Sequence, residues 1–215
     1  MSAANTGHSP TILDASFAFG FTDLASAPPS TATEIAFAGR SNVGKSSLLN
    51  TLMSRKALVR TSSTPGCTRQ INVFSVRVQN ESPVHLVDLP GFGYAKRSKT
   101  ERRQWGIMLE RYFRDRAALD LMVILIDARR DPEELETELV EYLSIVRTPP
   151  VPHIFVATKM DKLQRSCAKS TLDSISRQIA GRVIGFSANT GSGRDELWRF
   201  LLGAVRANET AADHA

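Results

Sequence analysis

Cysteine is nearly missing from this chain, with two in 215 residues. Cys67 and Cys167 show no CxxC spacing and no histidine pattern around them, which excludes a disulfide framework and argues against zinc. A single bridge between them stays open beside the reading of two thiols in a reducing compartment. Long apolar runs are missing too. The longest, Leu121 to Ile126, ends in Asp127 and falls far short of the roughly 18 residues of a membrane span. No Lys or Arg precedes Arg40, so neither a secretory signal nor an arginine-rich transit peptide fits, and a cytoplasmic location without membrane contact is expected. With 13 glycines, 10 prolines and no repeat, collagen-like and fibrous classes are excluded as well.

What is present is 42% hydrophobic residues, enough to fill one core in a chain of this length. The net charge of +5 is modest, but its location is informative: eight basic and three acidic residues lie between Lys96 and Arg116, so the remainder of the chain is neutral. Such a cluster suits RNA or another acidic surface, or else the solvated face of a helix.

Residues 1 to 33 are rich in Ala, Ser, Thr and Pro and read as a partly ordered N-terminal arm, in which only Ile12 to Leu24 has enough apolar groups to dock. From Glu34 on, short β-rich runs alternate with amphipathic segments, the mark of an α/β sheet with helical crossovers. Strands are expected at Ile35 to Ala38, Ile71 to Val78, Val84 to Val87, Leu119 to Ile126, Val151 to Ala157 and Val183 to Phe186. The gap Gln79 to Pro83 is too short for a helix, so its flanking strands should pair antiparallel. From about Glu101 to Arg116, Trp105, Met108, Leu109, Tyr112 and Phe113 form one helical stripe, better suited to core than to stacking on bases. Asp131-Pro132 reads as the N-cap and first turn of a helix carrying Leu135, Leu139 and Leu143. Further helices are expected around Leu172 and Leu201. The domain therefore spans 34 to 206, and 207 to 215 reads as a flexible tail.

The strongest motif is Gly39-Arg40-Ser41-Asn42-Val43-Gly44-Lys45-Ser46, a phosphate-binding loop between a strand and an apolar helix. Its glycines let backbone N–H groups wrap a phosphate chain at a helix N-terminus. Lys45 should reach the β and γ phosphates and the Ser46 hydroxyl should ligate magnesium. Asp88-Leu89-Pro90-Gly91 ends a strand, so Asp88 can approach magnesium through water while the Gly91 N–H senses a γ phosphate. Thr158-Lys159-Met160-Asp161 follows the strand at Val151 to Ala157. A carboxylate there accepts from both guanine N1–H and the exocyclic amine, which adenine cannot match, so GTP is expected over ATP. Ser187-Ala188 would set a backbone N–H near guanine O6.

These motifs, with Thr64-Pro65-Gly66-Cys67-Thr68-Arg69 and Phe92-Gly93-Tyr94-Ala95, resemble the bacterial EngB family of ribosome-biogenesis GTPases over roughly Phe17 to Val205. The resemblance implies a Ras-like P-loop fold: a six-stranded mixed sheet with one antiparallel strand, flanked by helices on both faces. It also implies nucleotide contacts at Gly39 through Ser47, at Gly66, Cys67, Thr68, Arg69 and Gln70, and at the motifs above. Thr68 matches the switch I threonine that completes the magnesium shell in the GTP state, with Thr64 the nearest alternative. Segments 55–70 and 90–100 become switches I and II, which puts Lys96, Arg97, Lys99, Arg102 and Arg103 at a nucleotide-sensing surface facing the large ribosomal subunit or its precursor. The family is further tied to normal division and septation, so a protein partner at the division machinery is the alternative.

Hydrolysis is expected to rest on Lys45, Thr68 and Gly91 and to be slow, because Phe92 stands where many relatives have a water-orienting glutamine. Asn42 is either a potassium ligand or a turn residue tolerating positive φ. Arg40 and Arg69 are candidates for phosphate contact. A monomer is expected, since each apolar stripe has a use in the sheet.

Overall fold

A computed structural model of the chain describes residues 9–59, 70–91 and 99–212. The elements, in chain order, are β1 (Ile12–Phe21), β2 (Thr33–Gly39), α1 (Lys45–Leu52), β3 (Ile71–Val78), β4 (Val84–Asp88), α2 (Lys99–Asp115), β5 (Leu119–Asp127), α3 (Glu134–Val146), β6 (His153–Thr158), α4 (Arg165–Gln178), β7 (Val183–Gly185) and α5 (Arg194–Ala212). The sheet order is β1-β3-β4-β2-β5-β6-β7. Only β3 runs against the others, paired antiparallel with both β1 and β4.

The buried strands obey a period of two that sends alternate residues to opposite faces. On β2 and β5, Ile35, Phe37, Val123 and Leu125 meet Leu48, Leu49 and Leu52 of α1 and Leu197, Trp198 and Leu201 of α5. Their neighbours Ala36 and Met122 meet Met108, Tyr112 and Phe113 of α2 and Leu143 of α3. A third cluster joins Ile124, Ile126, Phe155 and Ala157 to Ile175 of α4. Met108, Tyr112 and Phe113 are thus core residues, as their spacing predicts.

The sheet has seven strands where six are expected from the sequence, the seventh being β1 within the N-terminal arm. Its alternation is disturbed by a register shift between Phe17 and Phe19, so Ala15 packs on one face and Phe21 on the other. Phe17 stays half exposed, in an edge-on contact with Phe74 at 5.7 Å between ring centres. At the other end, α5 runs on to Ala212, past the last apolar residue of its stripe, Val205. The Asn208 amide reaches the Asp120 carbonyl there.

Helix α3 also departs from expectation. Its N-cap is Glu133, not Asp131. Glu133 accepts from the Glu136 backbone while Glu136 Oε2 accepts from Glu133 N at 3.0 Å, a reciprocal box that satisfies two orphan donors where Asp131 would satisfy one.

A buried polar network closes the sheet end where β2 begins. Glu34, fully buried, accepts from the Arg116 guanidinium at 2.6 Å and from Tyr112 Oη at 3.0 Å, while Arg116 Nη1 donates to Pro28 O at 2.8 Å. His85, opposite Glu34 in register, has Nδ1 3.1 Å from Ser30 Oγ. This network ties the C-terminal end of α2 and residues 28–30 to β2, leaving the opposite ends of the parallel strands to the loops.

Candidate functional site

Every described motif loop leaves a strand at its carboxyl end, so the parallel sheet gathers the loops in one place. β2 passes into the phosphate-binding loop and α1. Val43 N donates to Arg40 O at 3.1 Å, and the first intrahelical bond runs from Leu48 N to Gly44 O at 2.9 Å. Gly44 has φ 109°, a conformation that side chains disfavour, and Asn42 has φ 65°. The first N–H groups of α1 therefore point out of the helix toward the loop, where anions are favoured.

β4 delivers Asp88 to the same place. Lys45 Nζ donates to Asp88 Oδ1, and both side chains are almost fully buried. The following turn is close-packed: Leu89 N donates to Phe37 O at 3.2 Å, and a Cβ on Gly91 would lie 3.1 Å from Ser41 Oγ and 3.2 Å from Ser41 N. Ser46, in the first turn of α1, and Asp88 offer only oxygen donors, the hard ligands that suit magnesium. Among the described residues no group of three or more His, Cys, Asp or Glu could hold a metal.

β6 and β7 build the other half. Thr158 Oγ1 donates to Val43 O at 2.6 Å, with Ile126 O 3.1 Å away as the alternative acceptor for the same proton, pinning β6 to the phosphate loop. Lys159 adopts φ 61°, and its Nζ donates to Asn42 O at 2.7 Å and to Asp127 Oδ2 at 2.9 Å. Asp161 Oδ1 accepts from Ser187 Oγ at 2.7 Å, and that hydroxyl oxygen accepts in turn from Thr190 N. The Ser187 bond is the main reason the Asp161 carboxyl lies below the usual carboxylate range, so it is an anion able to accept two parallel N–H bonds. Ser187 N is spent on Ser192 O at 2.9 Å, which makes Ala188 the better donor of the pair.

Arg40 pairs with Glu133 at the start of α3, so its guanidinium braces the loop from outside. Gly66, Cys67, Thr68 and Arg69, with Thr64, lie outside the described residues, as do Phe92, Tyr94, Lys96 and Arg97. Gln70 precedes β3, and its amide donates to Asn72 Oδ1 at 2.8 Å. Lys99, Arg102 and Arg103 fall in the first turns of α2. Cys167 is an exposed free thiol. No helix among the described residues is long and apolar enough to cross a membrane.

Sequence reasoning missed Asp127. Asp127 looks like a stop to an apolar run, yet it lies opposite Thr158 in register and accepts from Lys159. The usable signal was its place at the carboxyl end of a parallel strand.

Residues 34–159 match a family model described as 50S ribosome-binding GTPase. Two curated relatives named Probable GTP-binding protein EngB are each 47% identical. That of Desulforapulum autotrophicum aligns over 78% of this chain and 84% of its own length, and that of Desulfatibacillum aliphaticivorans over 89% and 91%. Among solved structures, one titled as a probable GTP-binding protein engB has a TM-score of 0.62 at 23% identity, covering 81% of this chain and all of that one. Aquifex aeolicus Era bound to GDP and aluminium fluoride has 0.67 at 24%, covering 82% and 57%. The structural likenesses establish the P-loop GTPase fold, and the sequence matches go further: the chain belongs to the EngB family of GTP-binding proteins and is a GTPase.

Proposed function

We propose that this GTPase is a slow, GTP-controlled switch in assembly of the large ribosomal subunit, gripping the particle in one nucleotide state and leaving in the other. The nucleotide lies across the sheet end. The loop from Gly39 to Ser47 wraps the phosphates, Lys45 neutralises their charge, and Asp161 and Ala188 read the guanine edge. Ser46, Thr68 and water-linked Asp88 would hold Mg2+, which supplies charge neutralisation on the phosphates. Gly91 N–H meets the γ phosphate, and a Cβ there would press on Ser41, so only glycine lets this turn sit against the phosphate loop. Turnover is slow because Phe92 cannot orient water.

The observation that carries the ribosomal reading is the match of residues 34–159 to a family described by its binding to the 50S ribosome. The chain's charge supports it. Lys96, Arg97, Lys99, Arg102 and Arg103 follow Gly91 directly, and positions 99, 102 and 103 share one face of α2. A cationic surface joined to a phosphate sensor grips RNA in proportion to its exposure. A requirement for normal division and septation then follows from a shortage of ribosomes.

The test is co-sedimentation with isolated large subunits, with a non-hydrolysable GTP analogue, GDP or no nucleotide, at two salt concentrations. The proposal expects pelleting strongest with the analogue, weakened by salt and by neutralising Lys99, Arg102 and Arg103. No pelleting in any state sinks it and points to a protein partner at the division machinery.

A further inference from the structure

Asp127 closes β5 with a nearly buried carboxylate, and that carboxylate is shared. Oδ1 accepts from Arg129 N at 3.1 Å and Arg129 Nε at 2.9 Å, while Oδ2 accepts from Arg129 Nη2 at 2.8 Å and Lys159 Nζ at 2.9 Å. Burial works to raise its pKa, yet the bonds from Arg129 and Lys159 outweigh it and hold the group well below the usual carboxylate range. The carboxylate is therefore a permanent anion at the end of the strand.

Lys159 sits between that anion and the phosphate loop. Its four-carbon stem would otherwise sample many rotamers, and a lysine gives up much entropy on being fixed. Here the backbone is already committed to φ 61°, and the ammonium is pinned on both sides, by Asp127 and by the Asn42 carbonyl 117 residues away. Asn42 is itself at φ 65°, so its carbonyl direction is set by an uncommon conformation that a partner must hold. One ammonium thus joins the ends of β5 and β6 to the phosphate loop.

We propose that Asp127 is a positioning residue for guanine-nucleotide binding: it holds the Lys159 ammonium on the Asn42 carbonyl, so that the Thr158–Asp161 segment and the phosphate loop are set as one unit before nucleotide arrives. This rests on the reading of those two segments as the nucleotide site. Arg129 braces the carboxylate but does not touch the loop, and it is dispensable for binding. Because GTP and GDP share the base and the first two phosphates, the preset arrangement favours both equally. It acts on affinity and KM and leaves the hydrolytic step alone.

The test measures GDP and GTP-analogue affinity with fluorescent nucleotides, and single-turnover hydrolysis at saturating GTP, for wild type, Asp127→Asn, Lys159→Met, the double variant and Arg129→Gln. Asp127→Asn should bind both nucleotides about tenfold more weakly, the size of one charge-assisted hydrogen bond, with a single-turnover rate within about twofold of wild type. In the Lys159→Met background the added effect of Asp127→Asn should shrink below about twofold, since the partner through which Asp127 acts is gone. Arg129→Gln should stay within about twofold of wild type. Should Asp127→Asn fail to fold, Asp127→Glu keeps the charge within reach of the flexible lysine and should stay within about threefold of wild-type affinity. Undiminished weakening in the Lys159→Met background overturns the proposal, as does an affinity unchanged by Asp127→Asn. If wild type itself does not prefer guanine nucleotides, the underlying site reading fails instead, and the two failures are told apart.

Discussion

Lys45 and Asp88, 43 residues apart in sequence, are bonded to each other with both side chains almost fully buried. The pair couples the first residue of α1 to the last of β4, and it brings the cation proposed to meet phosphate beside the carboxylate proposed to face magnesium. Each charge makes burial of the other tolerable. Removing one leaves a buried charge without its partner, so Lys45→Met and Asp88→Leu should each cost about 3 kcal/mol in denaturant unfolding of the nucleotide-free protein. The double variant should recover most of that loss. Costs that simply add would show that the two charges do not support each other. Lys45→Ala should also lose most nucleotide affinity, and an affinity barely changed would refute the phosphate-loop assignment.

His85 makes the far end of the sheet sensitive to acid. Burial lowers its pKa from the ordinary 6.5, the Glu34 carboxylate works the other way, and Arg116 adds to the lowering. The folded chain therefore holds this proton less readily than the unfolded chain. The His85 contribution is complete above pH 6.5 and is lost as pH falls toward the lower folded value. Urea midpoints measured near neutrality and about two pH units below should separate less in His85→Gln than in wild type. An equal separation would remove His85 from the account.

Asn42 carries two readings that one experiment divides. Its φ of 65° accounts for an asparagine there without any ion. Asn42→Ala should then cost about 1 kcal/mol of stability from backbone strain and leave the ratio of turnover in potassium to that in sodium chloride unchanged. A ratio that falls to about one would give the Asn42 side chain an ion to hold.

The parallel strands were legible because sheets covered on both faces write themselves as unbroken apolar runs, and Leu121 to Ile126 within β5 is the plainest case. The phosphate loop was legible because its chemistry is local, with glycine and lysine at fixed offsets. β1 hid its identity because a register shift between Phe17 and Phe19 breaks the alternation and leaves Phe17 half exposed. The start of α3 misled because Asp131-Pro132 is a good local cap, while the reciprocal Glu133 and Glu136 bonds that outdo it appear only in three dimensions. Asp127 escaped for a related reason: its partner Lys159 is 32 residues away, and nothing in either neighbourhood names the other.

Guanine recognition by Asp161 is the claim on which the rest depends. Its carboxylate, oriented by Ser187 Oγ at 2.7 Å, offers acceptors to the two N–H donors of guanine, whereas xanthine has a carbonyl in place of the exocyclic amine. The direct measurement is the affinity of wild type and Asp161→Asn for GDP, ADP and xanthosine diphosphate. Wild type should prefer GDP, and Asp161→Asn should lose about a hundredfold in GDP affinity while gaining for xanthosine diphosphate, because an amide supplies the donor that xanthine lacks. Equal GDP affinity in the two proteins, or ADP bound by wild type as tightly as GDP, would contradict it.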